Sequence, residues 1–173
     1  MFKFLFGQKK NDDEPDEIKS EDIAPGTNIR YDPKLVSELK SEHGKLISLF
    51  SEISTITDKR DSELLTTKLN QFGSSLRGHI LKENVRLYVY LKSSLQANED
   101  SLTIMQGFSQ EMSQIGRAVT DFLHKYSNVS QWDDAQWAVF ERDLKGVGQV
   151  LTKRIDTEEN TLYPLYMPPG SYH

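Results

Sequence analysis

The side chains in this sequence that could do chemistry are histidines and glutamates at helical spacing. His79 and Glu83 lie four residues apart. On an α-helix that step rises about 6 Å and turns about 40°, so both project from one face. At an offset of 75 residues Glu158 repeats Glu83, and Arg154 stands where His79 would recur. The same offset pairs Leu65 with Phe140, Leu69 with Leu144, Leu76 with Leu151, Leu87 with Leu162 and Tyr88 with Tyr163. The two segments therefore follow one helical pattern. Two such His/Glu pairs on two helices are one way to build a carboxylate-bridged metal pair inside a bundle. His43 falls four residues after Leu39 and four before Ile47, within an apolar stripe, and is expected to point inward. The chain has no cysteine, which excludes thiolate zinc sites, iron–sulfur clusters, disulfides and cysteine nucleophiles. A metal would have to use imidazole and carboxylate, a set that suits iron, manganese or zinc.

Long helices must carry these residues. Asp32-Pro33 reads as an N-cap with proline at the first helical position, and Leu35, Leu39, Leu46, Ile47, Phe50 and Ile53 give a stripe over about 33 to 57. Asp61 can cap a second helix over about 62 to 96. A third carries Ile104 or Met105, then Phe108, Met112, Ile115, Val119, Phe122 and Tyr126, and ends near Asn128. Ser130-Gln-Trp-Asp133 has capping-box spacing before a fourth helix, which Pro164 and Pro168-Pro169 stop. Alternating strand patterns are lacking, so the fold class is all-α, an antiparallel up-down-up-down four-helix bundle.

With 173 residues, 36% hydrophobic, the chain suffices for one domain with one core. Residues 1–30 read as a polar, flexible leader, 31–167 as the bundle and 168–173 as a C-terminal tail. The leader opens with Phe2, Phe4, Leu5 and Phe6, expected to strap onto the bundle. Too short for a signal-peptide core or a lasting membrane anchor, this opening leaves a cytoplasmic location expected. A net charge of −5 without a basic stripe speaks against nucleic acid as a partner.

A weaker alignment, at an offset of 72, places Leu46, Ile47 and Phe50 on Ala118, Val119 and Phe122, and His43 on Ile115. With Ser41-Glu42-His43-Gly44, Gly78-His79-Ile80-Leu81-Lys82-Glu83 and Arg154-Ile155-Asp156-Thr157-Glu158-Glu159, the sequence resembles the hemerythrin family in its broad form, the HHE cation-binding domain, over about residues 33 to 166. The resemblance implies a four-helix bundle with a di-iron centre, and roles in oxygen binding, iron or oxygen sensing, or nitric oxide handling. It implies His43, His79, Glu83 and Glu158 as metal ligands. The family's helix 3 and helix 4 histidines are replaced here by Ile115 and Arg154. His124, on another face of the third helix, is expected outside the centre, and His173 free at the end of the chain.

Two functional readings follow. In one, the bundle holds iron, one ion or none rather than two, and senses or carries a small diatomic ligand such as oxygen or nitric oxide. In the other it is a metal-free regulatory or protein-interaction bundle, in which Arg154 bonds Glu83 or Glu158 and replaces a metal. A carboxylate-metal oxidase is a third, weaker reading, and no catalytic residue is singled out. Tyr88, Tyr90, Tyr163 and Tyr166 are expected to pack their rings inside with hydroxyls near water. Met105 and Met112 are expected in the core.

Overall fold

The computed structural model describes residues 23–129 and 131–172. The phenylalanines of the leader, its acidic stretch, Ser130 and His173 lie outside the described residues. Four rods form the bundle. The first is α1 (Leu35–Lys59) and the second is α2 (Ser62–Lys82), continued by a π-helical segment (Glu83–Tyr88) and α3 (Val89–Ser94). The third is α4 (Glu99–Ser127). The fourth is α5 (Asp134–Thr157), continued by a second π-helical segment (Glu158–Leu162) and a 3-10 turn (Tyr163–Leu165). Each rod packs on its chain neighbour, and the fourth closes the ring on the first.

Local chemistry sets the boundaries. Asp61, Asn98 and Asp133 cap α2, α4 and α5 by accepting the backbone N–H groups of Leu64, Ser101 and Gln136 at 3.0, 3.0 and 2.7 Å, each satisfying a donor the helix leaves free. Asp133 is thus itself the cap of α5. Asp32 accepts from the Lys34 N–H at 2.9 Å, and its carbonyl accepts from the Leu35 N–H at 3.1 Å. That turn delays α1 to Leu35, two residues after the expected start. At its other end Arg60 adopts a left-handed conformation, φ 57°, and terminates the helix. The second rod ends at Ser94, two residues short of the expected 96.

The expected stripes are mostly buried, with exceptions. Ile47 is 51% exposed, and Leu49 takes the inward position instead. On α4 Met105 is buried and Ile104 is not. Residues of the expected leader and tail also touch the bundle: Ala24 is buried beside Leu35 and Tyr90, and Tyr172 packs on the same cluster. A turn bridged from Ile23 to Arg30 holds Ala24 there.

The core divides in two. One apolar cluster runs from Leu46 and Leu76 through Phe72, Phe122 and Phe140 to Trp137. The other gathers Leu35, Leu39, Leu87, Tyr90, Leu91 and Leu162. Burying each such side chain contributes roughly 1.5–3 kcal/mol. Between the clusters lies a layer of buried polar side chains, His43, His79, Glu83, Arg154 and Glu158. Chain order dictates this: His43 lies between Leu39 and Leu46, and His79 between Leu76 and Leu87.

Candidate metal centre

Three rods supply the polar layer. His43 comes from α1, His79 from the last turn of α2, and Glu83 and Glu158 are the first residues of the two π-helical segments. One donor atom from each of the four can be chosen so that all lie within 4.8 Å of one another, and all four residues are buried. The imidazole Nε2 atoms of His43 and His79 are 3.1 Å apart. His43 Nε2 is 3.3 Å from Glu158 Oε2, and His79 Nε2 is 3.9 Å from Glu83 Oε1.

The outer nitrogens are cross-braced. His43 Nδ1 is 2.8 Å from Glu159 Oε1, and His79 Nδ1 is 3.0 Å from Glu42 Oε2. An ionised carboxylate only accepts, so each Nδ1 carries the hydrogen and each Nε2 is turned to the interior, the arrangement that orients imidazoles toward a cation. Glu42 adjoins His43 in sequence yet braces His79, and Glu159 adjoins Glu158 yet braces His43. Lys82 pairs with Glu42, and Lys40 with Glu159.

Two Nε2 lone pairs facing each other at 3.1 Å repel unless a proton or a cation lies between them. The titration behaviour agrees. Burial pushes His43 down, but the carboxylates of Glu158 and Glu159 outweigh it and hold the ring above its ordinary value. Burial and then the nearby His43 charge outweigh the Glu42 hydrogen bond and keep His79 below its own. Without a cation, His43 therefore holds a proton more readily than His79 does. Burial, followed by repulsion from Glu158, raises Glu83 to about 8. For Glu158 burial acts upward, but His43 and Arg154 outweigh it and hold the carboxyl low. Glu83 Oε2 is buried without any hydrogen-bond partner among the described residues, which is costly unless a further group binds it. Convergent imidazoles and this orphaned oxygen fit a divalent or trivalent cation.

Arg154 makes the other half of the layer. Its Nε donates to Glu158 Oε1 at 2.6 Å, one Nη to Glu111 Oε2 at 3.0 Å, and the other to the Tyr88 hydroxyl at 2.9 Å and the Phe108 carbonyl at 3.0 Å. The guanidinium also lies 4.6 Å from the centre of the Phe108 ring. It therefore reaches Glu158 and α4, with no hydrogen bond to Glu83. Ile115 sits in the first apolar cluster, and the residue α4 presents to the cavity beside the histidines is Met112. His124 is exposed, facing an outer groove between α2 and α4.

The tyrosine expectation is corrected for three residues: Tyr90 is fully buried, its hydroxyl turned to a backbone carbonyl rather than to water, and Tyr163 and Tyr88 turn theirs inward. Tyr163 donates to Glu83 Oε1 at 2.9 Å and lies 3.2 Å from His43 Nε2, while Tyr88 bonds Arg154. Their hydroxyls thus enter the polar layer. In an α-helix, residues five apart differ by about 140° in direction. The wider π turn brings Glu83 and Tyr88 toward one face, and Glu158 and Tyr163 likewise. The repeated Glu-to-Tyr spacing of five was the available signal. Tyr90 and Tyr166 lie farther off, the first donating to the Met167 carbonyl at 2.7 Å and the second accepting from the Asp32 N–H at 2.8 Å.

Beside His43, His79 and Glu158 is a cavity of about 60 Å³, otherwise walled mainly by Leu46, Phe50, Phe72, Leu76, Met112 and Leu151. Gly148 shapes one wall, because a Cβ there would come within 2.7 Å of the Phe50 ring. No curated protein and no solved structure matches the chain. The family model described as the hemerythrin HHE cation binding domain matches residues 34–166. With that match running almost the full length of a four-rod bundle whose buried layer is built from His43, His79, Glu83 and Glu158, the chain belongs to the hemerythrin HHE cation-binding family.

Proposed function

We propose that this bundle binds one iron ion through His43, His79, Glu83 and Glu158 and uses it to sense or carry a small diatomic ligand, oxygen or nitric oxide. The observation that carries this reading is the convergence of four buried donors beside an apolar cavity. On the same measure a water needs roughly 10–15 Å³, so about 60 Å³ accommodates a diatomic molecule. Bound iron would supply a Lewis-acidic position able to take that molecule. The chain's own residues do the rest. Glu42 and Glu159 hold the imidazoles in one tautomer, the apolar wall keeps bulk water away, and Arg154 supplies a permanent positive charge beside Glu158. That charge favours one cation over two, since a second ion would have to compete with a guanidinium 2.6 Å from Glu158. Among the described residues no helix is long and apolar enough to cross a membrane, which accords with a cytoplasmic sensor.

Metal analysis and a visible spectrum of the protein purified from its own host test the proposal, followed by titration of the reduced protein with nitric oxide. About one iron per chain and a saturable spectral change with nitric oxide are expected. Two irons with the bands of an oxo-bridged pair would refute the single-ion reading. The hydrogen bonding of Arg154 favours one alternative, a metal-free regulatory bundle. Protein that carries no metal from its host and takes up none on addition would overturn the iron reading in favour of a metal-free bundle.

A further inference from the structure

Tyr163 is a buried polar group, beside the donors, that the four-ligand reading leaves unused. Its side chain leaves the 3-10 turn after the second π segment and stacks on the His43 ring, centroids 5.6 Å apart and planes 10° from parallel. The hydroxyl lies between two donors of the centre, 2.9 Å from Glu83 Oε1 and 3.2 Å from His43 Nε2. Two atoms bound at right angles about 2.1 Å from one ion lie about 3 Å apart. The 3.1 Å between the Nε2 atoms and the 3.3 Å from His43 to Glu158 are of the same kind. The Tyr163 oxygen therefore stands among the ligand atoms at ligand spacing.

We propose that Tyr163 is a fifth ligand of this centre, its phenolic oxygen binding the cation directly beside His43 and Glu83. The inference rests on the single-cation reading and names a donor which that reading lacks. When the phenolic oxygen binds, its O–H bond breaks, the metal–oxygen bond forms and the proton leaves to solvent, with no change of oxidation state. The cavity touches His43, His79 and Glu158 but neither Glu83 nor Tyr163. Those two close the side of the centre away from the cavity. An ion that takes six donors would, with these five, keep one position for an outside ligand. Tyr88, the repeat partner of Tyr163, bonds Arg154 instead and serves as the control.

The test is resonance Raman and visible spectroscopy of the full chain loaded with ferric iron from a citrate chelate, with bound iron measured in the same sample. Expected is a phenolate-to-iron charge-transfer band that enhances tyrosinate ring modes. Tyr163→Phe should abolish the band and weaken ferric binding by about tenfold or more, while Tyr88→Phe keeps the band. Iron bound to the wild-type chain without tyrosinate modes would overturn Tyr163 ligation alone. So would a band that survives Tyr163→Phe. Failure of the wild-type chain to bind iron would overturn the reading on which the inference rests. The wild-type spectrum decides the question even if a variant folds poorly.

Discussion

Truncating Arg154 to alanine should cost this bundle a large share of its stability, and the cost should depend on pH in one direction. The guanidinium is buried at 4% exposure and meets Glu158, Tyr88, the Phe108 carbonyl and Glu111. Glu111 is 61% exposed, so that arm contributes little. The weight falls on Glu158, which would be left buried with only the His43 ring as a cationic partner, and breaking such a buried pair costs up to roughly 3–5 kcal/mol. Against a domain stability of about 5–15 kcal/mol this is severe, and at this chain length it lowers the melting temperature by roughly 10 °C. In the wild-type chain Glu158 is held below its ordinary value of 4.5. Its contribution is therefore present above that value and is lost as pH falls. In Arg154→Ala the carboxyl rises and can take up a proton, so the penalty should be greatest at neutral pH and above and should shrink on acidification. Urea unfolding of the metal-free protein, followed by the fluorescence of Trp132 and Trp137, measures both effects. Arg154→Ala combined with Glu158→Gln should recover part of the loss. A penalty under about 1 kcal/mol, or one that grows as pH falls, would refute the argument.

Glu42→Gln and Glu159→Gln should each weaken cation binding by about 10–100-fold, read by chelator competition, with circular dichroism unchanged. Because Glu83 is raised to about 8, the metal-free chain holds a proton there at neutral pH. Cation uptake should release protons, and affinity should climb as pH rises through about 8, with the Glu83 share of that climb complete above it, both measurable by calorimetry in buffers of different ionisation heat. Gly148→Ala places a methyl group where the Phe50 ring lies. It should cost about 1–3 kcal/mol through overpacking and slow nitric oxide binding in stopped flow; an unchanged melting curve would show that the ring swings aside freely.

The bundle and the convergence of His43, His79, Glu83 and Glu158 were legible because periodicity is a local property. The stripes through Leu39, Leu69, Phe122 and Phe140 name the inward faces, and an inward His43 must then meet an inward His79 and Glu83. What was illegible depends on geometry that periodicity assumes rather than reports. A constant turn of 100° per residue sends Tyr88 and Tyr163 to the rim, whereas the π segments carry their hydroxyls into the centre. The braces were illegible for another reason: Glu42 and Glu159 each bond a histidine more than 35 residues away, and nothing in a neighbour's identity announces a cross-chain partner. The reach of Arg154 to Glu111 and Phe108, and the place of Met112 in the cavity wall, follow from the rotation of α4, which the offset of 72 residues did not fix.

Arg154 gives half of the centre a counter-charge that is made with the chain. A pair of ions sharing carboxylates would fill in linked steps, each altering the affinity for the other, and the response to rising metal would be steep over a narrow range. On the single-cation reading one positive charge is constitutive and one would be acquired, so a single equilibrium would govern occupancy. The filled fraction should follow a simple hyperbola spread over nearly two decades of free cation. A bundle of this design would fill in proportion to the level of its ion, rather than at a threshold.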